Sequence, residues 1–346
     1  VADPAQTISR KSAHDEQRHP PRRPSPTVIH DLFMARLEEI ERRVSRELAR
    51  PAEASGPVQE LLLDLAREVW AHARAAAVSA SRPGGVSALL TSMIAAGATD
   101  DLGVDESLRD RVHDTLRPLS RLWLGLGLDA GADIGQEDLT GPALLLFNRG
   151  ADPLPIEPLV LWSFLRERAA GSGRRVYVLW STGTFAQPFL GEWLNRLGVF
   201  AATKANCRAL LERGATVVAF PEGEQALAKT YERRYRLERF DEGALVETAM
   251  TCGARVIPGA VLGNEESFPL LGRVAGWPFT PFFPAFGLLG LLPLPLQWRV
   301  RLGAAIQYGD DARDGSRAGA VIDAARSRMQ ELLVELLAAR RTMFSG

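Results

Sequence analysis

Apolar residues recur at spacings of three and four over 29–50, where Ile29, Phe33, Leu37, Ile40, Val44 and Leu48 are separated by charges such as Glu38, Glu41 and Arg42. This spacing predicts an amphipathic helix, ended by Pro51. A second helical pattern over 57–80 carries Leu61, Leu62, Leu65, Val69 and Trp70, so the pair reads as a helical hairpin. After the break at "SRPGG" (81–85) and the polar loop "ATDDLGVDES", a further helix is expected from about Leu108 to Leu126, with Val112, Leu116, Leu119, Leu122 and Trp123 on its apolar side. Before all of these, residues 1–28 hold five prolines among Arg and His, with almost no apolar periodicity, and read as a disordered arm without a secretory h-region.

From about residue 140 the pattern changes to short apolar runs between helical stretches. Expected strands are Ala143–Phe147, Val176–Trp180, Thr216–Phe220, Arg255–Leu262 and Trp298–Leu302. Expected helices are 156–170, 186–197, 203–213, 243–252 and 317–341. Apolar strands alternating with helices imply an α/β fold: a mixed, mostly parallel sheet covered by helices on both faces, preceded by an N-terminal helical region. The domain reading is an arm (1–28), a helical hairpin (29–82), connecting helices (83–128) and an α/β domain (129–346). In such sheets functional groups collect at the carboxyl ends of the strands, which here run into "NRGADP", "STGT" and "PEGE".

The uncharged interval Val274–Trp298 contains five prolines, three glycines and a glutamine, so it cannot form one clean membrane-spanning helix. It is a buried loop, a wall for an acyl chain or a surface patch that dips into lipid. Trp162, Trp180, Trp193 and Phe185 read as core residues. The "GSG" at 171–173 lacks phosphate-loop spacing and reads as a hinge.

Composition narrows the function. The 346 residues hold 46% hydrophobic and 24% charged residues, with a net charge of −1, which excludes a multi-span membrane protein and a strongly basic nucleic-acid binder. Cys207 and Cys252 stand far apart without CxxC spacing, so neither a disulfide framework nor a metal site is expected, and the cytoplasm is the expected compartment. The five histidines all precede residue 114.

"VVAFPEGE" (217–224) reads as a strand that ends in a tight turn with an exposed acid. Upstream is "GVFAATKANCRALLERG" (198–214); downstream is "KTYERRYRLERFDEGALVETAMTCGARVIPGAVLGNEE" (229–266). In this order the motifs closely resemble the glycerolipid acyltransferase family, the lysophosphatidate acyltransferase-like enzymes, and in particular a bacterial branch with "RYRLxRF" after the FPEG turn. The resemblance covers roughly 97–310. It implies a glycerol-phosphate acyltransferase-like fold and transfer of a fatty acyl group from acyl-CoA or acyl-carrier protein, as co-substrate, to a lysophospholipid or other hydroxyl acceptor, with no further cofactor.

The family's Asn-His motif supplies a general base at the end of the first core strand, because a glycerol hydroxyl is a poor nucleophile near neutral pH. An aspartate a few residues on holds the imidazole in its working tautomer. In "LLLFNRGADPLPIEPLVLW" (144–162), Asn148 matches the asparagine, but Arg149 stands at the histidine position. The aspartate position is matched by Glu157 or Asp152. Arginine stays protonated and cannot serve as the base; losing a general base costs about 10²–10⁴-fold in rate. Two substitutes remain open: Glu157 or Asp152 as base, or His113 or His72 folding over the strand ends. Arg149 itself either pairs with Glu157 or Asp152, forming a plug, or binds a phosphate or carboxylate.

The resemblance further implies acceptor-binding roles for Phe220, Pro221, Glu222 and Gly223 of the FPEG turn, for Lys204 and Asn206 of the "ATKAN" loop, and for Arg234 and Arg236. These arginines belong to a basic cluster with Lys229, Arg233 and Arg239 that suits a phosphate or a membrane surface. The chain is thus expected to be a degenerate acyltransferase-fold protein that binds lipid or acts as a membrane-associated scaffold, peripheral to the inner face of the membrane. The alternative is an active acyltransferase with a base other than His. Expected partners are a lipid or membrane surface, and a protein partner or second copy through 29–82; nucleic acid is not among them.

Overall fold

The computed structural model describes residues 97–128, 141–152, 155–169, 173, 175–187, 190–240, 243–270, 272–274, 277–279, 293–294, 296–309 and 317–340. The expected arm, the helical hairpin with His72, and residues 280–292 of the uncharged interval lie outside them.

The element order is helix α1 (Glu106–Trp123), β1 (Gly127–Leu128), β2 (Ala143–Leu146), α2 (Ile156–Ala169), β3 (Val176–Trp180), a turn of helix α3 (Thr182–Phe185), α4 (Leu190–Arg196), β4 (Val199–Ala201), α5 (Lys204–Glu212) and β5 (Thr216–Ala219). Two short 3-10 helices follow, Gly223–Ala228 and Tyr231–Arg233. Then come α6 (Gly243–Thr251), β6 (Arg255–Leu262), a helical turn α7 (Asn264–Ser267), a hairpin of β7 (Gly272–Val274) and β8 (Trp277–Phe279), β9 (Arg299–Leu302) and α8 (Ala318–Ala339).

Seven strands form one sheet in the order β1-β9-β6-β2-β5-β3-β4. All neighbours are parallel except β6 and β9, so the sheet is mixed and mostly parallel, as the strand pattern predicts. Strand β2 is central: Leu144 pairs with Val217 on β5 and with Val256 on β6. Its side chains alternate between two cores. Leu144 and Leu146 face a core closed by α5, α6 and α8. Ala143, Leu145 and Phe147 face a core closed by α1, α2 and α4. Because both faces are covered, the strand reads as a continuous apolar run rather than as alternation. Each fully buried leucine there contributes about 1.5–3 kcal/mol.

Local chemistry sets the helix ends. Asp105 caps α1, its side chain accepting from Leu108 N at 2.9 Å, so the helix starts earlier than the apolar spacing alone suggests. Gly125, with φ of 49°, lies just past its end. Helix α2 is buried at every position from Glu157 to Leu165, which makes it an internal helix against the sheet. Gly259 lets β6 approach closely: a Cβ there would lie 2.5 Å from Cε1 of Phe147. Among the described residues no helix is long and apolar enough to cross a membrane.

Candidate functional site

The parallel strands β5, β2 and β6 lie side by side, so their carboxyl ends deliver Phe220–Glu222, Phe147–Arg149 and Gly263–Glu266 to one place. These residues form a buried polar cluster. Asn148 ties β2 to β6: its Oδ1 accepts from Val261 N at 2.7 Å, and its Nδ2 donates to Val261 O at 3.0 Å and to Glu265 Oε1 at 3.1 Å. The backbone amide of Arg149 donates to Glu222 Oε1 at 3.0 Å.

Glu222 is completely buried, which corrects the expectation of an exposed acid at the FPEG turn. The exposed acid of that turn is Glu224, which accepts from Ser181 Oγ at 2.7 Å. Gly223 takes φ of 57°, a conformation that favours glycine, and this bends the chain so that the Glu222 carboxylate points inward. Its other oxygen accepts from Lys229 Nζ at 2.8 Å and Glu238 N at 2.7 Å. Lys229 also reaches Glu265 Oε1 at 3.3 Å. Burial works against the ammonium, but Glu265 and Glu222 outweigh it and hold Lys229 above its ordinary pKa. Burial pushes Glu265 up to about 7, with Lys229 opposing.

The Arg149 guanidinium does not pair with Glu157, Asp152 or any other carboxylate among the described residues, so of the two roles open to it from sequence the ion pair is not formed. Instead its Nη1 donates to Gly223 O at 2.9 Å, and its Cζ lies 3.9 Å from the centroid of the Trp180 ring. Its Nε is buried with no partner among the described residues. Trp180 packs edge-on against Phe220 at 4.9 Å, so this core tryptophan is also the platform for a cation.

Glu157 and Asp152 form a second, connected group. Glu157 accepts from Gly150 N at 2.9 Å and from Asn264 Nδ2. Asp152 Oδ2 accepts from Glu157 N at 3.1 Å, which satisfies an amide of the first turn of α2. Asp152 Oδ1 is buried with no partner among the described residues. Burial raises the Asp152 carboxyl to about 7, against the pull of Arg149. Burial, then the neighbouring Asp152, drives Glu157 well above the carboxylate range. Asp152, Glu157 and Glu265 are buried beside Glu222 with Arg149 and Lys229 as the nearby cations, and protons retained on Asp152, Glu157 and Glu265 relieve the excess of negative charge.

No histidine joins the cluster among the described residues. His113, one of the two imidazoles considered, lies on α1, where its Nδ1 is 2.8 Å from Ser163 Oγ midway along α2. Two candidate ligands stand apart from the cluster. Lys204 is exposed and pairs with Glu247 at 2.8 Å. Asn206 Nδ2 donates to Ala201 O at 2.8 Å, at the edge strand β4. Arg234 lies with its Nε 3.6 Å from Glu266 Oε1, its guanidinium 4.1 Å from the Tyr231 ring centroid. Arg236 is exposed, and Pro221 and Phe220 are buried. The void beside the cluster, bordered by Ala151, Lys229, Arg234 and Glu265, measures about 10 Å³, room for one water.

Sequence reasoning missed Asn264, Glu265, Glu266 and Tyr235 as members of the site. The signal was "GNEE" following an apolar strand. Tyr235 adopts φ of 60° and is fixed at three points: its N donates to Glu265 Oε2 at 2.8 Å, its O accepts from Gln330 Nε2 at 2.8 Å, and its hydroxyl accepts from Gly263 N at 2.8 Å. That over-determination sustains a backbone state costly for a non-glycine residue.

No protein-family model matches the chain. The crystal structure of the 1-acyl-sn-glycerophosphate (LPA) acyltransferase PlsC from Thermotoga maritima is similar over 68% of this chain and 82% of that one, at 13% identity and a TM-score of 0.44. Among curated proteins, Uncharacterized protein Rv0502 of Mycobacterium tuberculosis is 32% identical over 313 residues, 83% of this chain and 86% of its own. Uncharacterized protein ML2427 of Mycobacterium leprae is 32% identical over 262 residues, 71% of this chain and 70% of its own. At that identity and coverage, the chain belongs to the same family as these mycobacterial proteins.

Proposed function

We propose that this protein is a degenerate acyltransferase-like protein whose strand-end site has become a sealed polar core, and that it serves as a lipid-binding or scaffolding component at a membrane surface. The assignment to acyltransferases rests on the order of the sequence motifs around "FPEG" and "RYRLERF". The loss of catalysis rests on one observation: the general-base position holds Arg149, whose guanidinium is engaged by Gly223 O and Trp180 and carries no basic lone pair. Two further facts support it. Glu222, the acid of the acceptor motif, already accepts from Arg149 N, Lys229 and Glu238 N. The adjoining void holds about one water, too little for a glycerol headgroup. The membrane part rests on the basic cluster and on the uncharged interval Val274–Trp298.

The purified chain, incubated with acyl-CoA or acyl-carrier protein and a panel of lysophospholipids, is expected to give no transfer above background. Partial transfer after Arg149→His combined with Glu157→Asp would support a vestigial site. Rapid transfer by the unaltered chain overturns the proposal. Co-sedimentation with anionic vesicles at low salt tests the membrane part; a chain that stays in the supernatant sinks it.

One observation favours the second reading, an active enzyme with a carboxylate base. Asp152 keeps an oxygen with no hydrogen-bond partner among the described residues, and its burial holds a pKa of about 7, suited to proton transfer near neutral pH. On that reading Asp152→Asn abolishes transfer, while Glu157→Gln alters its pH profile.

A further inference from the structure

The cleft between α1 and α2 holds a cavity of about 130 Å³, separate from the strand-end cluster. A cavity of this size has room for several water-sized groups. Its charges are unbalanced. Arg117 Nη2 and Arg121 Nη2 lie 3.1 and 2.6 Å from the same atom, Oε1 of Glu167, so one carboxylate faces two guanidinium groups. Arg168 also lines the cavity; its guanidinium lies 5.5 Å from the Phe164 ring centroid, and it has no carboxylate partner among the described residues. The lining therefore carries two positive charges in excess. The buried Ser163 hydroxyl, held by His113, borders the same space.

We propose that this cleft binds a terminal phosphate, the dianion of a phosphate monoester or of inorganic phosphate. Arg117, Arg121 and Arg168 would hold it, and Glu167 would be the internal anion that it displaces. Guanidinium groups match phosphate oxygens two at a time, and a dianion cancels the excess charge. The aromatic face of Phe164 leaves one wall apolar, suited to a short organic substituent. The second deprotonation of a phosphate monoester falls near pH 6, so binding should weaken below that pH as the ligand becomes a monoanion. This inference is independent of the acyltransferase reading, since neither Arg149 nor the FPEG turn takes part.

The test uses the full chain and calorimetric titration with inorganic phosphate and glycerol 3-phosphate, alongside flotation with phosphatidylcholine vesicles with and without phosphatidate. Binding of the soluble anions assigns the site to free phosphates; binding of phosphatidate vesicles alone assigns it to a lipid headgroup. Either outcome supports a phosphate site only if the variants follow. Glu167→Gln, which removes the competing anion, should tighten binding about tenfold. The double variant Arg117→Gln with Arg121→Gln should weaken it by at least about tenfold. Near-ultraviolet circular dichroism checks that both variants remain folded. Absence of binding in every arm up to about 10 mM, which caps the site at millimolar affinity, overturns the proposal. So does an affinity that Glu167→Gln leaves unchanged or weakens in the folded variant.

Discussion

The guanidinium carbon of Arg149 sits over the Trp180 ring, 3.9 Å from its centroid, where a cation meets the negative face of the indole. Because Arg149 is 2% exposed and has no carboxylate partner among the described residues, this stack and the Gly223 carbonyl are its chief support. A double-mutant cycle of Arg149→Met and Trp180→Leu, read by urea denaturation, should give a coupling of about 1–2 kcal/mol. A coupling indistinguishable from zero would mean that the stack is energetically idle. Arg149→Met alone should cost roughly 1–3 kcal/mol, since it leaves the Gly223 carbonyl without its donor.

Lys229 bridges Glu222 and Glu265 in the interior. Lys229→Met leaves two buried carboxyls without their cation, and removal of one partner from a buried pair typically costs about 3–5 kcal/mol. The cost should be smaller at pH 5 than at pH 8, because Glu265, raised to about 7, is protonated at the lower pH. Equal losses at both pH values would contradict this account of the cluster.

Stability should fall as pH rises from about 4 to about 7. The sign follows from the protons: the folded chain keeps them on Asp152 and Glu265 up to about 7, whereas the unfolded chain releases them near 3.8 and 4.5. The folded state therefore binds more protons across that window, and deprotonation favours unfolding. Asp152→Asn should flatten the slope. Chemical denaturation at half-unit pH steps measures both; a profile that climbs through this window, with the same slope in the variant, contradicts the assignment.

Tyr235→Phe keeps the ring and removes the acceptor for the buried amide of Gly263. The expected loss is about 1–3 kcal/mol. Hydrogen exchange at Gly263 should accelerate in the variant, whereas a merely looser ring would leave that amide protected.

The apolar runs at 143–147, 176–180, 216–220 and 255–262 mark their strands within a residue, because a strand buried on both faces needs little beyond β-branched and aliphatic side chains. The short edge strand β1 and the hairpin β7–β8 escaped sequence reading, since two or three residues carry no period, whereas the short strand read at the start of "GVFAATKANCRALLERG" is β4. At the site, sequence pointed to Asn148, Arg149, Asp152, Glu157 and Glu222. It did not assign the hydrogen bonds they make, whose partners lie from 5 to 117 positions away along the chain, as for Asp152 with Glu157 and Asn148 with Glu265.

The sequence by itself determined the layered α/β architecture and the presence of a permanent cation, Arg149, just past the end of the first core strand, since both depend on residue type and local order. Only the tertiary structure decided what that cation touches. Parallel pairing of β2 with β5 and β6 brings three strand ends together. The left-handed turn at Gly223 then folds Glu222 inward, where hydrogen bonds from Arg149 N and Lys229 compensate its burial. Burial and partner choice depend on residues far apart in the chain, and no local pattern specifies them.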